Sequence, residues 1–208
     1  MNYRDFFTRE RVRSLTVGLL LLGLSMIFQY YSGIYSMDHS SRFVGDLFLS
    51  NLPVVNMDMV IINGALFMIL LSVVLVIAKP KYLLFAIKAA ALFIAIRSFF
   101  VVITHLGVYP GQIVPGHSLT DRVYVGLGLE AGYFFSGHTG LPFLMALVFW
   151  NRRFWRYLYF ILSAVFGVSV LLAHVHYSID VFAAPFMAYG IFKMAQYLFP
   201  KDYELTES

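Results

Sequence analysis

The chain contains no cysteine. That excludes a disulfide framework, thiolate metal sites and a thiol nucleophile. Charge is nearly as scarce: Asp, Glu, Lys and Arg make up 12% of the 208 residues, about half the share in an average soluble domain. Hydrophobic residues make up 60% and the mean hydropathy is +0.77. So little polar surface cannot cover a water-soluble globule, and a disordered chain needs the opposite composition. No internal repeat or low-complexity tract is visible. No basic face interleaved with stacking aromatics exists in a soluble module, so no nucleic-acid partner is expected.

Long apolar runs take the place of the missing charge. At about 20 residues per span, they fall at 15–35, 57–78, 82–106, 137–150, 157–173 and 181–199. The first is too long for a signal peptide and lacks a small-residue cleavage site, so it reads as a span. The expected fold is all-α: a polytopic integral membrane protein, a six-transmembrane-helix bundle formed by residues 1–208 as a single membrane domain. Basic residues orient it. Arg4, Arg9, Arg11, Arg13, Lys79, Lys81, Arg152, Arg153, Arg156 and Lys201 fall on one side, and only Arg42 and Arg122 on the other. Both termini are therefore expected in the cytoplasm, and the net charge of +4 reflects orientation. Lys88 and Lys193 lie inside spans near their cytoplasmic ends, where snorkelling is the expected behaviour.

The opposite face has a different chemistry. All six histidines (His39, His105, His117, His138, His174, His176) map to it or to its boundary. Two loops project there, 36–56 and 107–136. The second carries Pro110-Gly111, Pro115-Gly116 and Thr120-Asp121-Arg122 and reads as an irregular cap.

Two blocks in this region can carry chemistry. In Ser136-Gly137-His138-Thr139, Ser136 is a natural N-cap, Gly137 permits close backbone approach, and His138 falls in the first helical turn. A helix N-terminus with its unpaired N–H groups suits a phosphate oxyanion. Alone, the block reads equally as a capped helix with a solvated histidine. In His174-Val175-His176-Tyr177-Ser178-Ile179-Asp180, His176 and Asp180 are four apart and share a helical face. An Asp on one imidazole nitrogen makes the other a better nucleophile or base. His174 points elsewhere on the same turn. Alone, this block reads as interfacial histidines at a span end. Together, two histidines and an orienting Asp suit phosphoryl transfer through a phosphohistidine, with one histidine attacking phosphorus and the other protonating the leaving alcohol. That chemistry calls for no metal and no cofactor. Arg97, inside the third span, is a candidate phosphate fork.

Ser136-Gly137-His138-Thr139 followed by His176-Tyr177-Ser178-Ile179-Asp180-Val181 resembles the type 2 phosphatidic acid phosphatase superfamily, and within it the sphingomyelin synthase branch. Arg97-Ser98-Phe99-Phe100, Thr104-His105-Leu106 and Pro110-Gly111 are similar to a further block of that branch. The resemblance covers roughly residues 90 to 190. It implies His176 as nucleophile, Asp180 as its partner and His138 as general acid/base. It also implies a metal-independent reaction on the periplasmic, extracellular or lumenal side. The phosphatase branch carries a Ser-Arg pair ahead of the nucleophilic His; here Ser169-Val170 stands there. Its Lys-Arg-Pro block is also absent, since Ser98 follows Arg97. Both departures favour the sphingomyelin synthase branch.

The expected activity is lipid phosphotransfer, moving a phosphoryl headgroup from a phospholipid to ceramide or diacylglycerol. Arg97, Ser136, Gly137, Thr139 and Tyr177 are the candidate substrate-binding residues. The bilayer is the milieu: a plasma or inner membrane, or a Golgi-type membrane. Three rivals stand beside it: a lipid phosphatase with water as acceptor, a zinc hydrolase ligated by His138, His174, His176 and Asp180, and a transporter or scaffold.

Overall fold

A computed structural model of the chain describes residues 6–112, 118–127 and 132–207. It is all-α. In order, the helices are α1 (Arg9–Asp38), α2 (Gly64–Ala78, entered through a π turn, Met59–Asn63), α3 (Pro80–Ile103), α4 (Leu119–Gly126), α5 (Gly137–Val148), α6 (Arg153–Leu172), α7 (Ser178–Leu198) and α8 (Pro200–Glu207). His117, Pro115-Gly116 and Glu130 lie outside the described residues.

Among the described residues, four helical segments are long and apolar enough to cross a membrane: Arg9–Asp38, Met59–Ala78, Pro80–Ile103 and Arg153–Leu172. The other two expected spans also form helices. Gly137–Val148 is apolar but only 12 residues, about 18 Å at 1.5 Å per residue. Ser178–Leu198 has 21 residues but contains Pro185 and Lys193.

Local signals explain most of the boundaries. Thr8 caps α1 by accepting from the Arg11 N–H. Lys79-Pro80-Lys81 separates two helices, and Pro80 opens α3, where its fixed φ suits the first helical position and its missing N–H is not needed. Two elements depart from expectation. The loop 107–136 is not wholly irregular: α4 lies within it, started by a capping box in which Ser118 and Asp121 exchange hydrogen bonds. The chain does not leave the helical state after the run 181–199; Pro200 opens a further helix, α8.

Packing places one end of the bundle around the histidines. α1 runs along α3, and α5 packs between α6 and α7 while also touching α3. Gly140 makes the α3–α5 contact possible, since a Cβ there would lie 2.8 Å from the Phe93 ring. The ring of Phe93 then meets Phe135 edge-on. Much of α1 stays uncovered by protein, with Leu20 and Leu24 exposed, which is the surface expected where lipid is the solvent.

Lys88 does not snorkel. It is buried, and its Nζ meets Asp202 Oδ2 of α8 at 2.5 Å and Ser14 Oγ of α1 at 2.7 Å. Ser14 also donates to Asp202. One buried ion pair thus ties α1, α3 and α8. Removing one partner strands the other charge, so Asp202→Ala is expected to cost about 3–5 kcal/mol. Lys88→Met combined with Asp202→Leu is expected to recover most of that loss. Denaturation in detergent measures both; a double variant no more stable than Asp202→Ala would show that the pair is not the cause.

Candidate active site

Ser136 begins the site. It is fully buried and caps α5, its Oγ accepting from the Thr139 N–H and Oγ1–H, both at 3.3 Å. Capping turns the first turn of α5 so that His138 faces the interior, where it is 7% exposed. Its Nε2 lies 2.7 Å from the Tyr124 hydroxyl of α4.

The second block is built on the start of α7. Asp180, in the first turn, has no exposed surface. Its Oδ2 accepts from the Tyr177 N–H and contacts His176 Nδ1, both at 3.2 Å. One carboxylate oxygen therefore caps the helix and holds the imidazole. This leaves His176 Nε2 directed away from the Asp, without a hydrogen-bond partner among the described residues.

The two blocks meet directly. The Ser136 N–H donates to the backbone carbonyl of Asp180 at 3.0 Å, which docks the start of α5 on the start of α7. The His138 and His176 ring centroids are 6.0 Å apart.

The remaining candidates have defined partners. Arg97 is buried, and its Nε and one terminal nitrogen donate to the carbonyls of Phe135 (3.0 Å) and Gly132 (3.1 Å). The guanidinium predicted as a phosphate fork thus also holds the loop that delivers Ser136 and His138. Gly137 lies beside it; a Cβ there would be 3.4 Å from Arg97 Nε. The Thr139 carbonyl accepts from Ser163 of α6 at 2.7 Å. The Tyr177 hydroxyl donates to the Gly107 carbonyl (2.8 Å) and accepts from the Val44 N–H (3.3 Å), so this side chain fastens both outer loops over the site. His174 turns away: its Nδ1 approaches the Pro110 carbonyl at 3.5 Å and its ring meets Tyr109 edge-on. His39 and His105 lie close together, ring centroids 6.1 Å apart, and both rings lie against Tyr35. No group of three or more His, Asp or Glu side chains that could hold a metal ion occurs among the described residues, so the ligand set of the zinc reading is not assembled there.

Three residues with a part in the site carry no motif. Asp46 sits in the first outer loop, and its Oδ2 accepts from the Ser178 N–H at 2.8 Å while Oδ1 accepts from Phe48 and Leu49. Burial pushes its carboxyl up, but these backbone donors outweigh burial and hold it below the usual carboxylate range. It thereby tethers that loop to the N-terminus of α7, two residues from His176. Gln29 of α1 donates to the Leu127 carbonyl just past α4. Tyr124 is the third. The Ser118-x-x-Asp121 capping signal is the one local mark of α4 that the sequence reading passed over; nothing local tells that Tyr124 reaches His138.

An apolar cavity of about 270 Å³ lies between α1, α2, α3 and α5. Met26, Met68, Phe93 and Met145 line its body, and Arg97, Gly137 and His138 its polar end. A hydrocarbon chain with a phosphate at its head has that distribution of chemistry.

Residues 131–197 match the family PAP2 superfamily C-terminal. This is the sphingomyelin synthase-like C-terminal region of that superfamily, whose members in general act on lipid phosphates as phosphatases or phosphotransferases. The match spans Ser136 to Thr139 and His176 to Asp180 and leaves Arg97 outside it. No curated protein matches the chain.

Proposed function

We propose that this chain is a membrane lipid phosphotransferase working through a phosphohistidine on His176. The observation that carries the reading is the pair of buried histidines 6.0 Å apart, one bonded to Asp180, with the other at the end of an apolar cavity. His176 Nε2 attacks the phosphorus of a phospholipid headgroup ester. The P–O bond breaks, and the departing diacylglycerol oxygen takes a proton from His138. A second lipid hydroxyl, that of ceramide or diacylglycerol, then gives its proton to His138 and takes the phosphoryl headgroup. Arg97, Ser136, Gly137, Thr139 and Tyr177 shape the donor site: Arg97 and Gly137 by lining the cavity, Ser136 and Thr139 by fixing the turn, Tyr177 by fastening the loops. With water as acceptor the same residues would make a phosphatase; the apolar lining up to His138 favours a lipid acceptor.

The topology proposed with it has six spans, both termini in the cytoplasm and the site on the non-cytoplasmic side of a plasma, inner or Golgi-type membrane. The basic-residue asymmetry supports the orientation. The meeting of the α1 and α3 C-terminal ends with the α5 and α7 N-terminal ends supports the alternation.

Purified protein incubated with a panel of phospholipids, with and without ceramide or diacylglycerol, tests the reading. A new phospholipid formed only with acceptor is the expected result. Released phosphate alone would make it a phosphatase, and no product in any mixture would overturn the reading.

The Arg97→Lys variant probes the donor site. Lysine can reach one carbonyl at most and offers no planar fork. The expected result is a kcat lower by about tenfold or more with a raised donor KM, while the protein still elutes as a folded species in detergent. An unchanged rate would remove Arg97 from the site.

A further inference from the structure

Helix α4 buries a single side chain, Tyr124, 2% exposed. The helix is held at both ends, by the Ser118–Asp121 capping box at its start and by the hydrogen bond from Gln29 to the Leu127 carbonyl just past its last residue. Eight residues that bury one ring gain little from packing, so the contact that ring makes is the notable product of the element. That contact is with the His138 imidazole: the hydroxyl is 2.7 Å from Nε2, and the rings lie 5.8 Å apart, tilted by 30°.

The two histidines of the site are thus held by opposite nitrogens and by partners of opposite character. A carboxylate only accepts, so Asp180 fixes the His176 proton on Nδ1 and leaves the Nε2 lone pair for attack. A phenol can donate as well as accept; with Tyr124 as the donor to Nε2, the His138 proton lies on Nδ1, a nitrogen without a hydrogen-bond partner among the described residues. One imidazole presents a lone pair and the other an N–H. That is the asymmetry an attacking group and a proton donor need, created in two chemically identical side chains by what lies behind each.

A neutral imidazole cannot surrender its N–H to an alkoxide unless it gains a proton at its other nitrogen. We propose, resting on the phosphotransferase reading above, that Tyr124 is the positioning residue and proton partner of His138. As His176 Nε2 bonds to phosphorus and the P–O bond breaks, its electron pair goes to the lipid oxygen. That oxygen takes the Nδ1 proton, Nε2 takes the Tyr124 proton, and a phenolate remains. A phenol, with an ordinary pKa of ~10, is a far stronger acid than a lipid alcohol, so the transfer runs downhill. In the second half the acceptor hydroxyl gives its proton to Nδ1 and the Nε2 proton returns to Tyr124. The acceptor oxygen bonds to phosphorus, and the N–P electron pair returns to His176. Nothing is consumed but donor and acceptor.

The test compares two leaving groups in Tyr124→Phe, which keeps the ring and removes the hydroxyl. The first-turnover rate is measured with a phospholipid donor and with the p-nitrophenyl ester of the same headgroup, whose p-nitrophenolate departs without a proton. The variant is expected to slow the first turnover of the lipid ester by about 10²-fold and to change the p-nitrophenol burst by less than about threefold. His138→Ala is expected to show the same split, and His176→Ala no burst with either ester. A wild-type rate on the lipid ester, or an equal loss on both esters as in a merely distorted protein, overturns the role of Tyr124 and leaves the phosphohistidine reading standing. A His176→Ala variant that turns over either ester like the wild type overturns that reading, and the Tyr124 proposal with it.

Discussion

His176→Ala is expected to lower kcat by about 10³-fold or more while leaving the thermal midpoint in detergent within a few degrees. The loss is large because no other histidine near the site among the described residues is placed to take over attack. His138 is held 6.0 Å away with Nε2 on Tyr124, and His174 turns toward Pro110. The stability effect is small because the α7 cap, Asp180 Oδ2 to the Tyr177 N–H, survives the substitution. Labelled donor lipid, quenched before the acceptor is added, is expected to leave label on histidine in the wild type and none in His176→Ala. A variant with wild-type turnover would remove His176 from the nucleophile's role.

Asp180→Asn is expected to lower kcat by about 10²–10⁴-fold at nearly constant volume. The reason lies in the two oxygens. Oδ2 accepts twice, from His176 Nδ1 and the Tyr177 N–H, whereas Oδ1 is buried with no hydrogen-bond partner among the described residues. An asparagine that keeps its oxygen on the Oδ2 side buries an unpaired NH₂ on the other, at a cost of about 1–3 kcal/mol. If it flips, the NH₂ faces His176 Nδ1, which forces the imidazole proton to Nε2 and removes the lone pair needed for attack. Either way the negative charge behind the imidazole is gone. Single-turnover kinetics with the wild-type lipid donor would read the effect, and a variant as fast as wild type would show that the carboxylate does not orient His176.

Much of this site was legible before any fold was known, because its signals act within one helical turn. Ser136 ahead of Gly137 and His138 announces a capped helix start, and Ser136 does cap α5. His176 and Asp180, four apart, do meet, though not along a helical face: α7 begins at Ser178, and the Asp180 carboxylate reaches back over the helix start to His176. Lys88 was harder. Seen alone, a lysine near a span end belongs to the interface, and only α8 folding back supplies Asp202. The loop 107–136 looked irregular because its Pro and Gly residues dominate the reading, while the short Ser118-x-x-Asp121 signal for α4 sits among polar neighbours.

Composition and spacing by themselves determined that the chain is apolar, helical and built to sit in a bilayer, and that two histidines and an Asp stand at helix starts. They could do so because hydropathy accumulates over twenty residues and capping acts over three or four. Packing alone decided the rest. It docked the Ser136 N–H on the Asp180 carbonyl across 44 positions of chain, brought Asp46 to Ser178 from 132 residues away, and tied Arg97 to the loop 35 to 38 residues on. It also set Tyr124 behind His138. Each of these bonds joins groups whose separation in sequence carries no periodicity. Their meeting depends on how whole helices lie against one another, and no local pattern records that.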